Sequence, residues 1–282
     1  MTLTSESQTV HANDADLAWS ERGSGTPTFV LCHGFTGSSH DWALEVDALA
    51  ERRRVVTVDL RGHGHSTKFG TLDAYSIDQL ASDLAAFIEA VGGPPVDLLG
   101  HSMGGRVVLT MVLERPELVR SLILMDTSAW SFQPPDEEMR KMVTEFVAAF
   151  DPTRGMPTLE IRGPEDDLID AAVPAEWQKE KDGILAGTDP YAFKALGTEL
   201  WAEVQDGPGS LRRRLSSIAC PTTVIVGEHD HSLVDQAPEL AAEVGDGRLT
   251  VIPGAYHSPQ LTHPEAWRAA VEAHLEWAGA GA

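Results

Sequence analysis

Short runs rich in β-branched residues recur along the chain at Thr28–Leu31, Val55–Val58, Val96–Leu99, Leu122–Met125, Thr222–Val226 and Leu249–Ile252. Most of them are separated by helix-compatible stretches, and strands that alternate with helices pack as a mostly parallel sheet covered by those helices. The stretch Thr9 to Glu21 alternates in a way that suits one or two opening strands, closed by the turn-forming Gly23-Ser24-Gly25. After Gly104, residues Val107, Val108, Met111 and Val112 fall on one helical face until Pro116 closes the segment.

Strand signals stop between Trp130 and Leu215. There the chain becomes acidic and helix-like, punctuated by Pro135, Pro152, Pro164 and Pro174. The reading is an α/β core over 1–129 and 216–282, with a helical cap at 130–215. Counting the opening stretch as the first, the cap enters before the sixth β-run, over the carboxyl ends of the strands, where open α/β sheets bind ligands. A chain of 282 residues, 42% hydrophobic, is long enough for one large core.

Charge narrows the partners. With Lys+Arg 21 against Asp+Glu 43 the formal charge is -22, which repels polyphosphates and anionic membrane surfaces. Neither nucleic acid nor a membrane is an expected partner, and the acidic excess serves solubility. The two cysteines, Cys32 in an apolar run and Cys220 before Pro221, supply neither a disulfide framework nor a Cys-based zinc site. The opening residues MTLTSESQTV lack a positive charge followed by an apolar stretch, so the expectation is a soluble cytoplasmic protein. Oligomeric state is not encoded legibly.

The sharpest local signal is Gly100-His101-Ser102-Met103-Gly104, between the strand-like Val96–Leu99 and a helix. A serine on so tight a strand-to-helix turn adopts a strained backbone, and small neighbours two positions away let the turn close. The turn projects the Ser102 hydroxyl into a cleft, with the helix N-terminus behind it offering N–H groups to an oxyanion. A serine hydroxyl needs a base, and histidine suits that task at neutral pH. His257 follows the strand-like Leu249–Ile252 and the turn Pro253-Gly254-Ala255, whereas His263 sits just before Pro264 at the start of a helix. His257 is therefore the expected base. Asp230, in Val226-Gly227-Glu228-His229-Asp230, is the expected acid that orients it, with Glu228 and Asp126 as rivals.

A second oxyanion donor is expected from the loop His33-Gly34-Phe35, where glycine lets the backbone approach, so that the Phe35 N–H joins that of Met103. His33 is given a supporting part. The segment Asp59 to Ser66 is glycine-rich but lacks a P-loop lysine, and its expected task is to pin a loop beside the site.

With these residues assembled, the sequence resembles the lid-bearing α/β-hydrolase superfamily, from His33-Gly34-Phe35 through Asp59–Ser66 and Gly100–Gly104 to Asp230 and His257. The order nucleophile, acid, histidine is that of α/β hydrolases. The resemblance implies a carboxylesterase-type serine hydrolase acting on a small molecule without metal or organic cofactor. The superfamily also contains lactonases, carbon–carbon bond hydrolases, perhydrolases and lyases. Its epoxide hydrolases and haloalkane dehalogenases use an aspartate where position 102 is serine. Arg106 resembles a carboxylate-binding arginine of the menaquinone-pathway lyase that eliminates pyruvate, although Thr127-Ser128-Ala129-Trp130 departs from that pattern. A ligand receptor that keeps the fold is a further alternative. Trp130, Phe132, Trp177, Tyr191, Phe193 and Trp201 supply aromatic surface in the cap, for an apolar substrate pocket or for the cap's own core.

Overall fold

Phe29–Cys32 reads Phe-Val-Leu-Cys, with no side chain suited to water on either face, and all four residues are buried. Strands of this kind belong in the middle of a sheet covered on both sides. The computed structural model describes residues 7–130, 137–157, 162–202, 210–231 and 233–280. Its strands are β1 (Gln8–Ala12), β2 (Ala15–Arg22), β3 (Phe29–Cys32), β4 (Val55–Val58), β5 (Val96–His101), β6 (Val119–Met125), β7 (Thr222–Gly227) and β8 (Gly247–Ile252). They form one sheet in the order β1-β2-β4-β3-β5-β6-β7-β8. The opening hairpin β1–β2 is antiparallel and joins β4 antiparallel, while every later pairing is parallel.

The helices are α1 (Val46–Ala50), α2 (Ile77–Phe87), α3 (Met103–Glu114), α4 (Glu137–Ala149), α5 (Pro164–Ala172), α6 (Ala175–Ala186), α7 (Pro190–Leu200), α8 (Leu211–Arg214), α9 (Leu233–Glu243), α10 (Pro259–Thr262) and α11 (Pro264–Ala280). Because side chains alternate across a strand, neighbouring residues serve opposite layers. Val30, Cys32, Val56, Leu98, Leu122 and Val224 pack with Leu80, Leu84, Val107, Val108 and Leu240 from α2, α3 and α9. Phe29, Leu31, Leu99, Ile123 and Ile225 pack on the other face with Trp42, Leu49, Trp267, Val271 and Leu275.

Strand ends differ from the sequence expectation where polar residues intervene. β6 begins at Val119 rather than Leu122 because Arg120 and Ser121 both donate hydrogen bonds to Asp97 of β5, Arg120 at 2.6 Å. Between β6 and β7 the described residues hold helices α4 to α8 and no strand. This segment is tied down at several points. Asp189 accepts from the Tyr75 hydroxyl at 2.5 Å and from Gly70 N–H at 2.8 Å. Trp177 stacks on His40 with ring centroids 4.8 Å apart. The loop after β4 is pinned to α2, where buried Arg61 grips Asp83 with two bonds of 2.5 and 2.8 Å.

Candidate active site

The turn between β5 and α3 holds Ser102 at φ 53° and ψ −118°, a left-handed backbone that an L-residue keeps only under constraint from its surroundings. The constraint is visible. Ser102 N–H donates to Met125 O at 2.9 Å, and the Thr127 hydroxyl donates to Ser102 O at 2.6 Å. The glycines beside it are required by crowding: a Cβ on Gly104 would lie 2.4 Å from His33 O, and one on Gly100 would lie 2.5 Å from Gly104 O.

His257 and Asp230 lie on the loops that follow β8 and β7, which are neighbours in the sheet, and His257 Nδ1 meets Asp230 Oδ2 at 2.7 Å. A carboxylate can only accept, so Nδ1 carries the proton and Nε2 is left with its lone pair. Burial would lower the imidazole pKa, but the charge and bond of Asp230, with Glu165 beyond it, lift it above the ordinary value. Burial pushes the Asp230 carboxyl up, and the charge and hydrogen bond of His257 more than reverse this. Ser102 and His257 line one cavity of about 300 Å³. Among the described residues no direct hydrogen bond joins hydroxyl and ring, a looseness common before substrate binds.

Gly34 and Phe35 line the same cavity. A Cβ on Gly34 would lie 3.1 Å from Ser102 Cβ, so this loop backbone runs against the serine. Met103 is the first residue of α3, where an N–H has no intrahelical acceptor. His33 lies beneath them, fully buried, its ring bonded to Gly34 O at 2.8 Å and accepting Leu60 N–H at 3.0 Å. It braces the loop without lining the cavity.

The rival acid Asp126 is close by. Its carboxylate, that of Asp230 and the His257 ring bring their polar atoms within 4.8 Å of one another. A metal ion there would have to displace the Nδ1–Asp230 bond, and we assign none. Glu228 instead accepts Gly254 N–H at 2.8 Å.

Three expected substrate contacts, His33, Arg106 and Trp130, require correction, and His33 is buried beneath the cavity rather than lining it. Arg106 does not line the Ser102 cavity: it points into a separate cleft with Ile77, Glu199 and Arg214. It is buried there, and burial pulls its guanidinium down to about 10 against the Glu199 charge. Trp130 also lies outside the cavity, with the Arg212 guanidinium over its ring at 5.2 Å. The cap aromatics divide unevenly. Trp177 lines the cavity, while Phe193 and Trp201 pack on Phe35 at 5.1 and 5.3 Å as the cap's seat on the loop. Tyr191 packs against the core, and Phe132 falls outside the described residues.

Several residues in or beside the cavity were not legible in the sequence. His101 donates Nε2–H to His257 O at 2.8 Å, its ring held neutral because burial pulls its pKa down to about 3. Lys181 of α6 is paired with Asp41 on the cavity wall, and Gln178 and Gln260 add amides. Glu165 of α5 accepts Ser258 N–H at 2.5 Å, next to the base. The only available signal was the position of His101 inside the serine motif; the others come from segments far apart in the chain.

A mostly parallel sheet with a serine on the turn after β5, and a carboxylate and a histidine on the loops after β7 and β8, is the arrangement of the α/β-hydrolase class. The family model described as alpha/beta hydrolase fold matches residues 27–264, and the chain belongs to that family. Over 127 residues it is 34% identical to the bifunctional epoxide hydrolase 2 of Mus musculus, a match spanning 45% of this chain and only 22% of that protein. It is 28% identical over 258 residues to RutD of Azorhizobium caulinodans, a candidate carbamate hydrolase, covering 90% of this chain and 93% of that one. A thermophilic esterase from Thermogutta terrifontis superposes with a TM-score of 0.73 at 24% identity, covering 97% of this chain and 99% of that one, which establishes the shared fold.

Proposed function

We propose that this hydrolase is a serine carboxylesterase that cleaves small esters, or closely related acyl bonds, through an acyl-enzyme intermediate. The observation that carries the reading is the 2.7 Å bond from Asp230 to Nδ1 of His257, whose ring shares a cavity with Ser102. His257 Nε2 takes the Ser102 proton as the hydroxyl oxygen attacks the ester carbonyl. The resulting oxyanion lies against the N–H groups of Phe35 and Met103. As the tetrahedral intermediate collapses, the C–O bond breaks and the imidazolium returns its proton to the departing alcohol. Water then repeats the sequence on the acyl-serine and releases the acid.

A cavity of about 300 Å³ lies at the small end of ligand pockets and suits short acyl and alcohol groups. Phe35, Ile169, Trp177 and Leu261 give it an apolar part, and Asp41, Gln178 and Lys181 a polar wall. The position of Arg106 in another cleft takes away the residue on which a carboxylate-handling lyase reading depended. Against a ligand receptor, the reading calls for turnover. Ser102→Ala should fold normally, lose p-nitrophenyl acetate hydrolysis by several orders of magnitude, and no longer take a fluorophosphonate label. Wild-type-like turnover in that variant would end this reading.

A further inference from the structure

Asp126 is the least explained side chain of the site. It follows β6 with φ 44°, a left-handed conformation open to aspartate more than to most side chains, and it is fully buried. Its Oδ1 accepts Gly227 N–H at 2.8 Å, whereas its Oδ2 is buried with no N–H or O–H donor. A charged carboxylate in that position would leave half of its charge unsolvated. The group beside it is another carboxylate: Asp126, Asp230 and His257 crowd their polar atoms within 4.8 Å. Two buried carboxyls so close cannot both ionise, and the Nδ1–H bond from His257 already claims the charge of Asp230.

We propose that Asp126 and Asp230 form a carboxyl pair with one negative charge and one proton, in which protonated Asp126 positions Asp230 and takes over its charge when Asp230 is lost. The inference rests on the serine-hydrolase reading above. The groups facing the pair agree with it. His257 stands on the Asp230 side, Glu165 of the cap adds a further carboxyl, and the neutral His101 contributes no cation. Burial first and the Asp230 charge second hold the Asp126 carboxyl well above the usual carboxylate range. Asp126 is thus a positioning residue in the native enzyme. It stands near enough to the His257 ring to serve as a second acid.

A double-mutant cycle on p-nitrophenyl acetate hydrolysis tests this. Asp126→Asn keeps a neutral donor of the same shape beside Asp230 and should lower kcat/KM less than about tenfold. In Asp230→Asn, ionisation of Asp126 should hold the loss short of the roughly 10⁴-fold seen when a catalytic histidine loses its carboxylate. The remaining activity should rise with pH beyond the wild-type plateau, because Asp126 must first shed its proton. Adding Asp126→Asn to Asp230→Asn should then cost at least ~100-fold more, where a merely structural Asp126 would cost the same factor in both backgrounds. Equal factors would overturn the proposal. Should Asp126→Asn fail to fold, infrared spectroscopy of the wild type with isotope-labelled aspartate decides instead: a protonated carboxyl band at neutral pH is expected, and its absence refutes the pair. Full activity in Ser102→Ala would overturn the triad reading alone, leaving the infrared result to judge the carboxyl pair.

Discussion

At the scale of single residues, the site works by setting one imidazole between a carboxylate and an open cavity. In the mechanism proposed above only the neutral ring can accept the Ser102 proton, so activity should disappear as falling pH protonates His257. Asp230 raises the pKa of that ring, which moves the loss to higher pH than an unperturbed histidine would show. The acid limb of kcat/KM should therefore have its midpoint above 6.5. A midpoint below the ordinary histidine value would mean that Asp230 does not act on the base. The histidine and the serine motif were readable because their chemistry needs particular residue types in particular local contexts. The choice of Asp230 over Asp126 was not readable from type alone, since both follow strands of the same edge. Only the Nδ1 contact separates their positions, and it leaves Asp126 as a neighbour rather than a bystander.

At the scale of elements, the packing of α3 against β3 fixes where the serine stands. A methyl on Gly104 would collide with the backbone at His33 O and Cys32 O, which cannot give way as a flexible side chain can. Gly104→Ala should lower stability by about 1–3 kcal/mol or more and reduce activity further, by displacing both oxyanion elements. Gly183, inside α6, meets nothing within 4 Å, and Gly183→Ala should raise stability by about 0.5–1 kcal/mol. Chemical unfolding of the two variants checks both signs. In the cap, Trp177 stacks on His40, donates to its carbonyl at 3.2 Å, and lines the cavity. Its replacement by alanine should raise KM more than it lowers kcat, because the reacting groups stand on the core while Trp177 shapes the wall. Unchanged KM with a collapsed kcat would place the cap in the chemistry itself. The strand-free stretch between β6 and β7 was visible in the sequence. Which aromatics face the cavity was not visible, because helical spacing alone does not say which neighbour a face will meet.

At the scale of the whole molecule, 43 acidic against 21 basic side chains leave a charge of -22 on a chain of 282 residues. Much of that charge is exposed and repels itself, and salt screens it over a Debye length of about 10 Å at 0.1 M. The unfolding midpoint should therefore rise between low salt and ~0.3 M salt, and solubility should be poorest near the sequence pI of 4.7. A midpoint that falls with added salt would show that paired charges such as Arg53–Glu272 and Arg61–Asp83 outweigh the net repulsion. Among the described residues no helix is long and apolar enough to cross a membrane.

The sequence by itself determined the sheet, the serine turn and the histidine loop, because each depends on short-range rules: strand-length apolar runs buried on both faces, glycines where backbones touch, a turn before a base. The tertiary structure decided which carboxylate meets the imidazole, where Arg106 and Trp130 point, and that His101, Glu165 and Lys181 reach the site. Those outcomes depend on which segments, from 27 to 156 positions apart, are folded against each other. Side-chain type sets what a residue can bond. Its partner is chosen by the packing of the sheet and the cap.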